Sequence, residues 1–485
     1  MKGSLPQFRS AATRLSRRDF LSQAGSGLGG IALAWLLNEE ALAENARTLS
    51  TKSPYAAKPP HFSGKAKRVV HIFAAGGVSH IDTFDYKPDL EKHHGQALTG
   101  KGKYDPFFGQ PGNLMKSPWR FERRGKSGLW VSDLLPNLAT CVDDITFIHS
   151  MVSKSNNHTP ATFLANSGFT MNGYPSLGAW LSYGLGSENE DLPAFVVLPD
   201  SRGLPAGGAI NWSAGFLPAT HQGAAFRTNT KEPIVDLSTP FDVSPAAREA
   251  SMALLAQMNQ EFAEKNPGDT GLAARIRSYE LAARMQASVP ELTDIASEPA
   301  STYELYGEEA RKPGSFANSV LMARRLTERG VRFVQIYHNN WDHHSNVGGR
   351  MPSQCKDIDQ PTHALIEDLK QRGLFESTLI IWGGEFGRTI YSQGGLTHEN
   401  YGRDHHPRCF TMWMAGGGVK GGTIYGETDD FSYNVVKDPV HVRDFHATVL
   451  HLLGIDHDRF TYRAQGLDFR LTGVEKATVV KSVVS

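Results

Sequence analysis

Cysteine is scarce. Three in 485 residues, Cys141, Cys355 and Cys409, show no CxxC spacing. That rules out a disulfide framework and argues against a zinc–thiolate centre, so a bound metal would need oxygen and nitrogen ligands. Net charge is absent too: 50 basic residues balance 50 acidic ones, which points away from nucleic acid or an anionic membrane as the main partner. There is no internal repeat. The run LGGIALAWLL (28–37) is too short for an ordinary membrane span. Two motifs are present only in part. GVSHI has Ile81 where a nucleophile elbow needs its second glycine, which argues against a serine hydrolase. AGGGVKGG (415–422) lacks the GK[ST] of a phosphate loop and reads as turns.

Histidine, by contrast, is concentrated: eleven of the nineteen lie between His338 and His457. The N-terminus has its own pattern. Residues 1–43 read as a targeting segment, with Arg17 and Arg18 in SRRDFL, the apolar stretch, and ALA at 41–43. Twin arginines are read by the Tat export machinery. The expectation is therefore a periplasmic or secreted protein whose partner during export is the Tat translocase, or an anchored one if the signal stays uncleaved. Residues 44–65 read as a flexible linker.

Short apolar runs at 68–75, 144–150, 194–199, 331–337, 378–384 and 409–416 predict buried strands. Helical periodicity predicts helices over 175–184, 244–264, 269–287, 314–330, 361–373 and 441–453. Ser244 and Pro245 suit an N-cap and a first helical turn. The alternation implies an α/β fold, a three-layer α/β/α sandwich with a largely parallel sheet. One domain over 66–475 is expected, with a helical insertion near 243–310 and a tail at 476–485.

Four of the strand runs adjoin polar or glycine-rich segments: GGVSHIDTFDYKP (76–88), HNNWDHHSN (338–346), GGEFGRT (383–389) and GRDHHP (402–407). A parallel sheet brings reactive groups together at its carboxyl edge. Asp82, Asp85, Asp342, His343, His344, Glu385, Asp404, His405 and His406 would converge there. Mixed carboxylates and imidazoles suit zinc, manganese or iron, and calcium or magnesium less well. A pair of such metals clamps the attacking and leaving oxygens of a phosphoryl or sulfuryl group.

The stretch LPNLATCVDDITFIHSMVSKSNNHTPATFLANSG (135–168) resembles the sulfatase and alkaline phosphatase pattern of helix, strand and nucleophile loop. TLIIWGGEFGRT sits where that superfamily has a strand ending in a metal pair, and HVRDFHATVLHLLGID (441–456) resembles its late helix. The GGxSxxDxFDxKP opening, W-D-x-H, GGEFGRT and G-R-D-H together resemble the Tat-exported domain of unknown function 1501 family, over about 66–475. The resemblance implies an alkaline-phosphatase-like fold and a divalent metal, zinc first, with manganese or calcium as alternatives. It implies Asp342, His344, Glu385 and His405 as ligands, with His343 competing for the His344 place. Ala75 stands where the superfamily has a ligand aspartate, and Asp82, supported by Ser79, substitutes for it. Phe386 stands where a ligand histidine is expected. His158 occupies the nucleophile position, with Thr159 one residue away. Arg388 or Lys420 would balance charge on the ester.

The leading expectation is an exported metal-dependent hydrolase of phosphate or sulfate esters that uses metal-activated water on a small-molecule or glycan ester. Two others remain open. One is a catalytically degenerate relative that binds sulfated or phosphorylated glycans, and the other is a partner subunit of an exported complex.

Overall fold

The chain was analysed as a computed structural model that describes residues 56–100, 106–107, 110–230, 233–234, 244–266, 270–393 and 401–485. The targeting segment and residues 44–55 of the linker lie outside them. Strand β1 (Arg68–Ala74) shows how the sequence builds two cores. Successive side chains of a strand point to opposite faces. Val70, Ile72 and Ala74 thus enter one apolar cluster, and Val69 and Phe73 enter another. A nearly continuous apolar run is what a strand covered on both faces requires.

The other strands of the two larger sheets are, in chain order, β2 (Pro111–Leu114), β3 (Ile145–Val152), β4 (Phe195–Leu198), β5 (Ala224–Ala225) and β6 (Phe333–His338). They are followed by β7 (Thr378–Gly383), β8 (Gly387–Gln393), β9 (Arg403–His406), β10 (Phe410–Ala415), β11 (Thr423–Tyr425) and β12 (Val440–His441). A nine-stranded sheet has the order β11-β3-β10-β7-β1-β6-β4-β5, with β12 also on β3. Its pairs are parallel except those of β10, which runs antiparallel to β3 and β7. The six predicted strands all form. Not predicted was a second, antiparallel sheet of order β9-β8-β2, which places GGEFGRT and GRDHHP on one hairpin rather than at separate strand ends.

The longer helices among the described residues are α1 (His158–Ser167), α2 (Leu177–Leu185), α3 (Pro245–Lys265), α4 (Thr270–Thr293), α5 (Phe316–Glu328), α6 (Val347–Gln371) and α7 (Val442–Leu452). Helices α5 and α6 cover one face, burying Val320, Leu326, Ile358 and Leu365. Helices α2 and α7 cover the other, burying Leu177, Leu181, Val449 and Leu450. The expected sandwich is therefore present. Helix α6 starts well before the predicted residue 361 and contains Pro352 and Pro361. Proline normally stops a helix, but burial of Met351, Cys355 and Ile358 carries this one through. In the predicted insertion, α4 buries Leu281, Met285, Val289 and Leu292, spaced one face apart, while α3 leaves Leu254, Met258 and Phe262 exposed.

Both ends of the predicted domain extend further than expected. Val480 and Val483 of the predicted tail are buried in the second core, and Lys420 N donates to Val483 O at 2.9 Å. Within the predicted linker, Lys58 N and Phe62 N donate to Leu185 O and Gly454 O. The apolar valines of VVKSVV gain from burial, so the tail packs.

Several histidines are buried without charge. Burial pushes His71 and His221 down to about 3 and His446 down to about 4. In the unfolded chain they protonate near 6.5. Below that pH the unfolded state takes up protons that the folded state cannot, so stability falls as pH drops from 6.5 toward 4. Each such group contributes about 1.4 kcal/mol per pH unit. The urea midpoint should decrease from pH 7.5 to pH 5. The variant His71→Phe, whose ring would lie beside Phe73 and Phe333, should show a shallower decrease; an unchanged slope would contradict this account.

Candidate metal centre

The loop between β6 and α6 carries the polar stretch HNNWDHHSN, and one tryptophan fixes it. Trp341 is fully buried, and its Nε1 donates to His338 Nδ1 at 2.9 Å. Asn340 and Asn346 take left-handed φ values of 74° and 50°, a conformation asparagine tolerates better than most residues. The Asn346 side chain also accepts from Gly349 N and caps α6. Two glycines let neighbouring backbone approach. A Cβ on Gly76 would lie 2.6 Å from Asp342 N, and one on Gly402 would lie 1.8 Å from His344 O.

Thus held, Asp342 and His344 meet His405 from β9 and His158 from the first position of α1. Ligand atoms of these four residues lie within 4.8 Å of one another. His344 Nε2 is 2.9 Å from Asp342 Oδ1 and 2.9 Å from His405 Nε2. His405 Nε2 is 3.3 Å from Asp342 Oδ1, and His158 Nε2 is 3.3 Å from Asp342 Oδ2. With metal–nitrogen bonds of about 2.0–2.1 Å, tetrahedral ligand atoms stand about 3.3 Å apart. The observed spacings are close to that.

The outward nitrogens of these rings are also set. His405 Nδ1 lies 2.6 Å from Asn156 O, an acceptor, so Nδ1 carries the proton and Nε2 presents its lone pair to the centre. His344 Nδ1 pairs in the same way with Gln393 Oε1. Metal-binding histidines are oriented through such outer contacts. Burial lowers the His405 pKa against the opposing pull of Asp342, leaving its imidazole neutral, as a ligand requires.

Charge converges on Asp342. Burial opposes its ionisation, but hydrogen bonds to His158, His344 and His405, with the Arg388 guanidinium, hold its carboxyl far below the usual carboxylate range. Its side chain stays 42% exposed, so the centre opens to solvent. His158 is pulled two ways: burial lowers its pKa, and Asp342 and Glu385 raise it to about 9. Glu385 Oε1 is 2.7 Å from His158 Nδ1 and accepts from Gly76 N at 2.9 Å. While His158 Nε2 has its 3.3 Å contact with Asp342 Oδ2, one atom here is buried without a hydrogen-bond partner, Glu385 Oε2. Buried polar atoms are seldom left so. The donor set of the Asp342 carboxylate with the inward Nε2 atoms of His344 and His405, spaced nearly as tetrahedral ligands are, fits a divalent metal.

The predicted site residues divide into two sets. Asp342, His344, His405 and His158 come together, while Glu385 touches the group only through His158. Asp82 lies elsewhere: it forms an ion pair with Arg403 at 2.8 Å, both side chains fully buried, and accepts from Ser79 Oγ. Its expected ligand role is thereby corrected, because Arg403 takes both carboxylate oxygens of this fully buried side chain, whereas Arg388 bonds only Oδ1 of the half-exposed Asp342. Arg388 faces Asp342 and the carbonyls of Gly76, Gly77 and Arg403, with 1% of its side chain exposed, instead of facing an ester. The Thr159 hydroxyl makes no hydrogen bond to the centre; its backbone N donates to Asn157 Oδ1. His343 is buried, and burial with nearby arginines pushes it to about 3. Asp85 accepts from Thr428 and Ser432, and His406 pairs with Tyr433 O. Asp404 accepts from the backbone N of Phe107 and of His405.

Sequence reasoning missed Gln393 and Asn156 as orienting groups. Asn156 acts through its backbone carbonyl, which no residue type signals. It also missed the Glu385–His158 pair, whose members are 227 positions apart.

Comparison with curated proteins finds no match. Solved structures with a related chain course include an alkaline phosphatase superfamily protein from Vibrio parahaemolyticus, 11% identical, with TM-score 0.37, covering 84% of this chain and 74% of that one. The alkaline phosphatase from the Antarctic bacterium TAB5 is 10% identical with TM-score 0.33, covering 80% and 98%. The PsFucS1 sulfatase from Pseudoalteromonas sp. is 13% identical with TM-score 0.32, covering 86% and 71%. The family model described as "Protein of unknown function (DUF1501)" matches residues 66–484, and the chain belongs to that family.

Proposed function

We propose that this chain is an exported metal-dependent hydrolase of phosphate or sulfate esters. The supporting observation is the convergence of Asp342, His344 and His405, with His158 alongside, on one solvent-open point. When held there, a divalent ion would supply Lewis acidity toward an ester oxygen and toward water. Asp342, His344 and His405 would hold it, and Arg388 fixes the Asp342 carboxylate through its buried guanidinium.

His158 and Glu385 form the proton-handling pair. Glu385 holds Nδ1–H, which directs Nε2 toward the centre. Raised to about 9, His158 is an imidazolium near neutral pH, so its Nε2–H can give a proton to the leaving alcohol and recover one from the attacking water. No side-chain nucleophile is needed, in keeping with histidine at the expected nucleophile position and with the placement of the Thr159 hydroxyl. Phe386 and Phe107 pack on the imidazoles, at ring distances of 4.9 Å to His158 and 4.5 Å to His405, and form an apolar wall. Targeting for Tat export accords with the twin arginines. No helix among the described residues is long and apolar enough to cross a membrane.

Zinc- or manganese-loaded protein should hydrolyse nitrophenyl phosphate or nitrophenyl sulfate. Alanine at Asp342, His344 or His405 should weaken metal binding at least tenfold, by competition with a chromogenic chelator, with unchanged far-UV circular dichroism. Full metal retention by all three variants would refute the proposed ligand set. Inertness of metal-loaded protein on both esters would favour the reading of a binder without turnover.

Glu385→Gln and His158→Ala should keep the metal but lower kcat by about 10²–10⁴, the usual contribution of a positioned acid or base. Asp82→Asn separates stability from chemistry. Removing one partner of a buried ion pair costs about 3–5 kcal/mol, so its urea midpoint should fall markedly while kcat of the folded fraction stays near wild type.

A further inference from the structure

A second feature lies beyond the metal centre, on the far side of the β6–α6 loop. It is a cavity of about 750 Å³ between the carboxyl ends of β4 and β6, the start of α5 and helix α6. That volume is within the range of small-molecule sites. The row that sends Val334 and Ile336 into the apolar core continues to His338, where the pattern calls for another hydrophobe. Its imidazole is 1% exposed and contributes to the cavity lining.

The proton on that ring can be placed. Trp341 Nε1–H can only donate, so His338 Nδ1 accepts. Burial lowers the pKa of the ring and keeps it neutral. Nε2 therefore carries the hydrogen, yet it has no hydrogen-bond partner. The nearest carboxylate oxygen, Asp357 Oδ2, is 3.6 Å away, beyond hydrogen-bond reach. Leaving a buried N–H unsatisfied is costly, so an acceptor is due in the cavity.

The rest of the lining narrows the choice. Six acidic side chains face two basic ones, Arg202 and Lys356, which disfavours a phosphate or sulfate group. A bare cation would suit the carboxylates but leave the His338 N–H unmet. Asp357 is 45% exposed and accepts from Arg202 Nη1 at 3.4 Å through Oδ2 alone, so its carboxylate keeps acceptor capacity beside the His338 N–H donor. A hydroxyl donates and accepts at once, and adjacent hydroxyls fit such a set. Phe316, Pro352 and Pro361 add an apolar wall for C–H faces. We propose that this cavity binds a neutral carbohydrate, with His338 Nε2–H and the Asp357 carboxylate as its anchoring contacts. The proposal does not depend on the metal centre.

The test is a printed array of neutral gluco-, galacto-, manno-, fuco- and chitin-type oligosaccharides, probed with labelled protein in EDTA, followed by calorimetric titration of the strongest binder. Saturable binding is expected. It should weaken at least tenfold in Asp357→Asn and His338→Phe and persist in His344→Ala. Asp357 is half exposed, so its variant decides the matter if His338→Phe fails to fold. An array with no neutral binder, binding confined to sulfated or phosphorylated controls, or a titration unchanged by Asp357→Asn would overturn the proposal. Because metal is absent throughout, failure here is distinct from failure of the hydrolase reading.

Discussion

The candidate centre depends on the anchoring of one carboxylate. Asp342 is a half-exposed anion set against a buried guanidinium and three imidazoles, and its ionisation is secured by that ring of donors. Without the Arg388 contact, the carboxylate would be free to turn into solvent and the histidines would face one another. Arg388 is itself anchored by the carbonyls of Gly76, Gly77 and Arg403. The position of the acid is therefore tied to the end of β1 and to the β8–β9 hairpin, and not to its own loop alone. A charge pinned from three directions is pre-organised, and pre-organisation is what makes a polar site effective in chemistry.

The backbone around it follows the same logic. Strands β1, β6 and β7 end together because their pairing is parallel and in register, Val70 with Val334 and Ile380. Their following loops must then crowd into one space. Glycine at 76 and 402 admits that crowding, the asparagines at 340 and 346 turn the chain, and Trp341 is buried beneath the turn. The hairpin is secured separately by Arg403 and Asp82, a pair with no exposure at all. Much of what reads as reactive in GGVSHIDTFDYKP is thus structural: Asp82 neutralises Arg403, and Asp85 binds two hydroxyls.

Much of the fold was legible because burial on two faces leaves a simple mark. Runs such as TLIIWGG and VRFVQIY have few alternatives to a central strand. The second sheet was not legible, since GRTIYSQ has only two adjacent large apolar residues and RDHH has none, and both are stabilised by ion pairs and hairpin register instead. In the site, adjacency in sequence exposed Asp342 and His344, and clustering of polar residues exposed His405. The separation of ligand from supporting carboxylate was hidden. Asp82, Glu385 and Asp342 are all acids near strand ends, and only their partners distinguish them: Arg403 on both oxygens of Asp82, His158 and Gly76 N on Glu385, and three imidazoles with one arginine on Asp342.

That distinction bears on how many ions the centre suits. A two-metal site needs ligands on both sides of a shared oxygen, and here one side is altered. Ala75 offers no donor, Phe386 stacks on the imidazoles of His158 and His405 at 4.9 Å and 4.7 Å, and Glu385 is committed to His158 and Gly76 N. The ring of Phe386 therefore lies against the imidazoles where a second histidine is expected. The carboxylate next to it orients an imidazole as a carboxylate–histidine pair does in general acid–base catalysis. One ion with an adjacent proton carrier requires no more donors than these residues provide. On the proposed hydrolysis, that carrier is His158, an imidazolium whose Nε2–H can be given to a leaving alcohol and regained from water.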